Sequence, residues 1–482
     1  MGIPRHRQLY LAIDQGGHAS RAQVIDHSGE VLVQALCGIG TEHPKSTWIE
    51  HDAEEMIASL NQVISNVVSQ LGIRKNRLVA AALACQRASV VCWHRGDGHP
   101  LSKVLSWQDR RARDCMKKFE PFTETIHAKT GLIPSPHYGA SKLRWCLDHL
   151  PEVKTALNKG NLACGPLASF IAYRLTQAAV QTVDPANASR TLLWNIDSGD
   201  WDSELLDLFR IPLKALPQCV PTRHPFGMIQ AFDRKIPLAL VTGDQSAALF
   251  QCGPPQEDAL YINLGSGAFL QRVLRKPAFH AKPLLTSVVL KDGNHTLYAL
   301  EGTVHGAGSA LSWFSREFGA EAWREQADTW LNTVQHPPIF INMIGGLGSP
   351  FWIPQMTPRF IGDGDIASRF TAVIESILFL IQANLEAMNR CTATPTHIIL
   401  SGGIAQINEL CQKLSNATER PVLRPQQCEA TARGLAYLLM DSPRTFPGKQ
   451  DSSTFFPRAD KNLKNRYGTW KQAMAEVIAS ND

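Results

Sequence analysis

Val241-Thr-Gly-Asp-Gln-Ser-Ala-Ala-Leu-Phe250 joins an apolar run, Pro237-Leu-Ala-Leu-Val241, to a stretch of small residues with helical character. The Gly243-Asp244 turn between them places Asp244 where a strand hands over to a helix. A carboxylate in that position has two readings. It is an N-cap that accepts the first free amides of the helix, or it is a group delivered by the strand end to a cleft for chemistry. The decapeptide alone favours the cap, and the rest of the chain has to supply any reason to prefer the second reading.

Working outward, Leu9-Tyr-Leu-Ala-Ile13 and Arg21-Ala-Gln-Val-Ile25 read as two short strands. Asp14-Gln-Gly-Gly-His-Ala-Ser20 connects them as a hairpin. The connection is a plain turn, or a place where the Gly16-Gly17 backbone approaches a phosphate with Asp14 facing Mg²⁺ and Arg21 nearby. Past Asp244 the same outline returns: Leu260-Tyr-Ile-Asn-Leu-Gly-Ser-Gly-Ala-Phe-Leu270 is strand, turn and returning strand. Two related halves whose hairpin tips face one cleft would clamp a polyphosphate from both sides.

Between the hairpins, residues 52–71 carry helical spacing, and Leu78-Val-Ala-Ala-Ala-Leu-Ala-Cys85 is apolar on both faces, as in the interior of a sheet covered by helices. That strand ends in Gln86-Arg87. Arg87 and Trp107 each close an element; they read as a hydroxyl-binding fork and an apolar wall, or as a surface ion pair and a core aromatic. Residues 141–175 form a helical middle, 370–388 a long buried helix, and 451–482 a polar then amphipathic surface helix. His397-Ile-Ile-Leu-Ser-Gly-Gly403 is a strand whose paired glycines are either a turn or an approach site for a nucleotide.

A chain of 482 residues exceeds the growth limit of one core, so two domains with a cleft are expected. The net charge of +5 is spread over 48 basic and 43 acidic side chains without a basic run, which argues against nucleic acid as partner. Eleven cysteines form no C-x-x-C pair and read as thiols in a reducing, cytoplasmic compartment. The strongest membrane candidate, 372–388, is interrupted by Glu375 and Glu386, so no span is expected.

Taken together these pieces resemble the FGGY carbohydrate kinases, and among them the glycerol kinases most closely. The resemblance runs through Leu-Ala-Ile-Asp-Gln-Gly near the start, Trp48-Ile-Glu-His-Asp52, Gln86-Arg87, Trp107-Gln-Asp-Arg-Arg111, Asn187-Ala-Ser-Arg-Thr191 and the decapeptide around Asp244. It continues through Glu301-Gly302, Gly346-Leu-Gly-Ser-Pro-Phe-Trp352, Ser401-Gly-Gly403 and Glu429-Ala-Thr-Ala-Arg-Gly434.

The resemblance implies two α/β domains of the ribonuclease H-like, actin/hexokinase/Hsp70 type: residues 1–250 for substrate, first phosphate loop and general base, and 251–482 for nucleotide. It implies ATP and Mg²⁺, with phosphoryl transfer to a hydroxyl of a small sugar or polyol. Asp244 takes the general-base position, and the acceptor contacts fall on Arg87, Ala88, Trp107, His137, Gln245 and Phe269. Asp14 takes the metal-associated carboxylate. The phosphate and adenosine contacts fall on Gly16, Gly17, His18, Arg21, Gly265, Ser266, Gly267, Gly308, Leu311, Ser312, Gly402 and Gly403. Homodimers and homotetramers are common in the family.

The chain also departs from the pattern. Ala88 stands where glycerol kinases carry a Glu that holds a glycerol hydroxyl, which deletes an acceptor and leaves space for a longer polyol or ketose. The family's Tyr falls on His137, or on Tyr138 with a one-residue slip. Gly17 and His18 replace two Thr hydroxyls, and the Asn expected after the paired glycines falls on Ile407 beside Asn408. Glycerol is therefore the second choice of acceptor. A nucleotide-binding member with little catalysis is a rival reading, and an actin- or Hsp70-like ATPase a third.

Overall fold

The computed structural model describes residues 3–176, 180–277, 281–353, 356–426, 430–440 and 452–479. Glu429 of the C-terminal motif, Cys428, and residues 451 and 480–482 of the expected surface helix lie outside the described residues.

In the first half, β1 (Leu9–Gln15), β2 (Ala19–Asp26) and β3 (Val31–Gly38) form an antiparallel meander. Helix α1 (Ala53–Gln70) follows, its start fixed by Asp52, whose carboxylate accepts from the amides of Glu54 and Glu55. β4 (Leu78–Cys85) then pairs parallel with β1. After an insertion, β5 (Arg223–Ala231) and β6 (Arg234–Gly243) complete the sheet in the order β5-β6-β4-β1-β2-β3, with β6 parallel to β4. The all-apolar β4 sits between β1 and β6, as its sequence requires.

The second half repeats the scheme. β7 (Ala259–Leu264) and β8 (Ala268–Leu274) form the expected hairpin, followed by β9 (Leu285–Asp292) and β10 (His295–Val304). β11 (His397–Ser401) pairs parallel with β7, and β12 (Val422–Pro425) and β13 (Ser452–Phe455) extend the sheet to β9-β10-β8-β7-β11-β12-β13. Three antiparallel strands opening with a hairpin, with parallel strands added beside the first, are common to both sheets; in the second the third position is taken by β10, with β9 at the edge. This is the ribonuclease H-like arrangement, present twice.

Within the insertion between β4 and β5, helices at Gly139–His149, Pro151–Asn158 and Leu167–Thr176 match the helical middle expected over residues 141–175. They surround a second sheet built from Glu50–His51, Val104–Leu105, Val90–His94 and Leu162–Pro166. Two of its four strands have only two residues and carry no periodic signal, and the five-residue strand Leu162–Pro166 lies inside the stretch whose spacing reads as helical.

The two halves share a core. Ala12, Ala82 and Leu240 of the first sheet pack with Val289 and Ala299 of the second and with Leu435 and Ala436 of the helix Ala430–Leu439. The 24-residue helix Ile366–Asn389 is, by length and composition, long and apolar enough to cross a membrane despite Glu375 and Glu386. It is buried along most of its surface in the second half's core. Glu375 on it is satisfied by Arg466, 2.6 Å away, from the C-terminal helix Lys461–Ala479.

Candidate active site between the two domains

A cavity of about 200 Å³ opens at the junction of the two halves. Gly17 and His18 from the β1–β2 turn, Gln86 and Arg87 beyond β4, and Asp244 and Gln245 beyond β6 bring three strand ends to one wall. The inserted helices and small sheet contribute Trp107, Gln108, His137 and Arg190, and Phe269 on β8 closes the cavity from the second half. The strand order explains the convergence: β1 and β6 flank β4 in parallel, so their C-terminal ends face one edge of the sheet.

The N-cap of the short helix Asp244–Ala248 is Gly243, so Asp244 is not the cap residue. Its Oδ1 accepts the amide of Gln245 at 2.7 Å, and its carboxylate lines the cavity. Burial raises the Asp244 carboxyl above its ordinary value, opposed by the Arg87 guanidinium. Gly243 is required by close approach: a Cβ there would stand 2.5 Å from Cδ of Arg87, whose side chain lies across it.

Arg87 reaches the side-chain oxygen of Gln245 and, with both terminal nitrogens at 3.3 Å, Oε1 of Glu301 on β10. Glu301 receives Arg190 on its other oxygen at 2.7 Å, and Ser287 at 2.6 Å and Gln271 at 3.2 Å on the first. Burial works to raise this carboxyl, yet Arg190 and Arg87 outweigh it and hold it at about 2. An ionised triad thus crosses the domain boundary.

Asp14 ends β1 with Oδ1 buried and unpartnered. Its carboxyl is pushed up to about 7, by burial first and by the charge of Asp244 second, against the pull of Arg21, its register partner on β2. A buried orphan oxygen beside a second carboxylate is a place that a divalent cation relieves. Among the described residues no cluster of three or more ligating side chains exists. Mg²⁺ held by one or two carboxylates and substrate phosphates fits that donor set, whereas an all-protein cage does not.

The Gly16 amide closes the first turn on Ala19 O at 3.1 Å, with His18 exposed at the cavity rim. The second turn, Gly265-Ser266-Gly267, is backed by the N-terminus of the helix Gly308–Phe318. The amides of Gly308 and Ser309 donate to the carbonyls of Gly265 and Ser266 at 3.0 and 2.9 Å. A Cβ on Gly308 would meet Gly265 O at 2.7 Å, so the helix can seat against the turn only with glycine there.

Other expected contacts fall elsewhere. The Ala88 methyl packs with Val90, Leu105 and Tyr138 in the core of the insertion and does not line the cavity, which corrects the idea of vacated space at the wall. The cause is its backbone, φ 64°, which turns the chain immediately after Arg87. His137 faces the cavity beside Trp107, ring centroids 5.6 Å apart, while Tyr138 is buried behind it against Arg190. Leu311 is buried in the second half's core, so its side chain offers no nucleotide contact, and the Ser312 hydroxyl donates to Gly308 O. Gly402 and Gly403 line a separate cleft of about 960 Å³ together with Gln406 and Arg424; neither Ile407 nor Asn408 lines it.

Four side chains at the site had no assigned role in the sequence reading. Gln86 presents both amide atoms buried and unpartnered to the cavity. Arg190 adds a guanidinium with an unpartnered Nε, and Gln108 adds a further polar wall. Lys142, fully buried, donates to the carbonyls of Ala88 and Ser106, both at 2.8 Å, and so ties the Arg87 turn to the Trp107 turn. Gln86, Gln108 and Arg190 lay inside the quoted motifs, which was the available signal. Lys142 carried none.

Comparison with known proteins identifies the family. Residues 9–251 match the N-terminal domain, and residues 260–441 the C-terminal domain, of the FGGY family of carbohydrate kinases. A glycerol kinase from Trichlorobacter lovleyi is 37% identical over 439 residues, covering 89% of this chain and 88% of that protein. One from Shewanella frigidimarina is 30% identical, covering 99% of each. Among solved structures, Plasmodium falciparum glycerol kinase with ADP superimposes with a TM-score of 0.89 at 23% identity, covering 97% of this chain and 98% of that one. Xylulose kinase from Rhodospirillum rubrum gives 0.86 at 18% identity, covering 98% and 99%. At those identities the structural likeness speaks for the two-domain fold.

Proposed function

The chain belongs to the FGGY family of carbohydrate kinases and is a phosphotransferase with an alcohol group as acceptor, and on that premise we propose that it transfers the γ-phosphoryl group of ATP to a hydroxyl of a small sugar or polyol, with Asp244 as general base. The observation that carries this reading is the shared cavity of Asp244, Arg87 and Phe269, which draws on both domains and abuts the Gly16-Gly17 turn.

In this mechanism Arg87 and Gln86 orient the acceptor's hydroxyls, and Trp107 and Phe269 cover its carbon chain. Asp244 takes the proton as the hydroxyl oxygen attacks the γ-phosphorus, and ADP leaves. Partial desolvation suits Asp244 to the task, because a carboxylate with a raised pKa is a better match for the proton it accepts. Residues 251–482 carry the nucleotide and 1–250 the acceptor. The Gly265–Gly267 turn, seated on the start of the helix Gly308–Phe318, holds phosphates, and the Gly402-Gly403 cleft takes the adenosine end. Asp14 would hold Mg²⁺, which when bound offsets charge on the β- and γ-phosphates. The sequence pattern, eleven cysteines without a C-x-x-C pair, supports a reducing, cytoplasmic setting.

Glycerol is the second acceptor reading, favoured by relatives at 30–37% identity that bear the name glycerol kinase. ADP formation from Mg-ATP across glycerol, erythritol, pentitols, ribulose, xylulose and hexoses tests the proposal. Strong turnover on one acceptor is expected; acceptor-independent hydrolysis alone, or none, would overturn it.

A further inference from the structure

Glu301 does not line the cavity, yet it is the most heavily engaged carboxylate near it. Its own domain fixes it through Ser287 and Gln271, and among the described residues the other domain reaches it through two arginines that do line the cavity. The contacts are unequal. Ser287 and Arg190 approach to 2.6 and 2.7 Å, while Arg87 stands at 3.3 Å from an oxygen that already accepts two other donors. Arg87 is therefore held by the longer contact and Arg190 by the shorter one with its Nε unpartnered, and the aliphatic stem of Arg87 is confined by the Gly243 backbone beneath it.

We propose that Glu301 is a positioning residue which sets the acceptor grip from the nucleotide domain, holding Arg87 and Arg190 in register across the domain boundary so that the grip is complete only when the domains are closed. This inference rests on the kinase reading above. Removing the carboxylate charge leaves two buried guanidiniums facing each other without their counter-ion, and they turn away from the positions that serve an acceptor hydroxyl. Binding of acceptor and nucleotide is then coupled, because whatever favours closure assembles the grip.

The experiment compares wild type, Glu301→Gln and Ser287→Ala with the acceptor that the panel identifies as best. For Glu301→Gln we expect acceptor KM to rise about 10-fold or more, as for loss of a charge-assisted hydrogen bond, with kcat changed less than about 3-fold and nucleotide affinity in the absence of acceptor unmoved. Ser287→Ala keeps the charge but loosens its seat, and should raise acceptor KM by about 2- to 5-fold. Calorimetry adds a second readout: a non-hydrolysable ATP analogue should tighten acceptor binding in wild type and lose that effect in Glu301→Gln. A purely structural role would lower kcat, ATP affinity and stability together, and that pattern overturns the proposal. Acceptor KM within 2-fold of wild type in the folded variants also overturns it, and Ser287→Ala alone decides if Glu301→Gln does not fold. An inactive wild type with every acceptor removes the kinase reading and this inference with it.

Discussion

Asp14 near the end of β1 and Asp244 just past β6 lie at the two strands that flank β4, and the charge on Asp244 adds to burial in holding the Asp14 carboxyl at about 7 instead of its ordinary 3.8. The sign of the consequence follows from linkage. Below about pH 4 Asp14 is protonated folded or unfolded and contributes nothing; between 4 and 7 the unfolded chain releases its proton first; above 7 the folded state carries the full cost of a buried charge. Asp14→Asn should therefore melt above wild type by a few degrees at pH 8 without nucleotide or metal. The gap should shrink steadily at pH 6 and 5. A gap independent of pH in thermal melts would show that Asp14 is not the buried acid described.

At the second turn, Gly308→Ala places a methyl 2.7 Å from Gly265 O and 3.3 Å from Ser266 Cα. The turn or the helix must move, so the KM for ATP should rise by about 10-fold or more while acceptor KM stays within about 2-fold. Steady-state kinetics with each substrate varied in turn separates the two. Equal losses on both substrates would contradict the division of labour between the domains.

Much of this was legible in the chain. The hairpins at β1–β2 and β7–β8 and the apolar β4 follow from apolar runs and glycine-containing turns, whereas the cavity positions of Arg87, Trp107, Asp244 and Phe269 were implied by the family resemblance and not by local pattern. Glu301 lies inside an otherwise ordinary strand, and its partners are 214 and 111 residues away, a relation that no spacing encodes. Lys142 sits in a helix where a lysine reads as a solvated face, and only the tertiary fold reveals two carbonyls converging on it. Ala88 was misread because side-chain identity was considered without the positive φ that turns the chain.

Lys142 itself is testable. Burial drives its ammonium well below the ordinary range, and its two hydrogen bonds go to backbone carbonyls. Lys142→Met leaves both carbonyls unpartnered and should cost about 2 kcal/mol in urea unfolding, the burial cost of the amine offsetting part of the loss. Because those carbonyls belong to the turns carrying Arg87 and Trp107, acceptor KM should rise while ATP KM does not. An unchanged acceptor KM would show that the two turns hold their shape without the lysine.

His137 makes the opposite kind of prediction. Burial, with Arg110 and Lys142 nearby, depresses its imidazole well below the ordinary 6.5, so it remains neutral from pH 6 to 8. His137→Phe should leave the shape of the kcat/KM profile in that range unchanged while raising acceptor KM by about 3- to 10-fold through loss of a polar partner. A pH–rate limb that disappears in the variant would show that His137 titrates during turnover.

The most direct test of the whole account is ADP formation by Asp244→Asn, measured against wild type with the best acceptor and alongside calorimetric binding of nucleotide and acceptor. The substitution preserves shape and removes the base, so turnover should fall by about 10²- to 10⁴-fold while both ligands still bind. Turnover near the wild-type rate, with binding intact, would show that Asp244 is not the group that takes the proton.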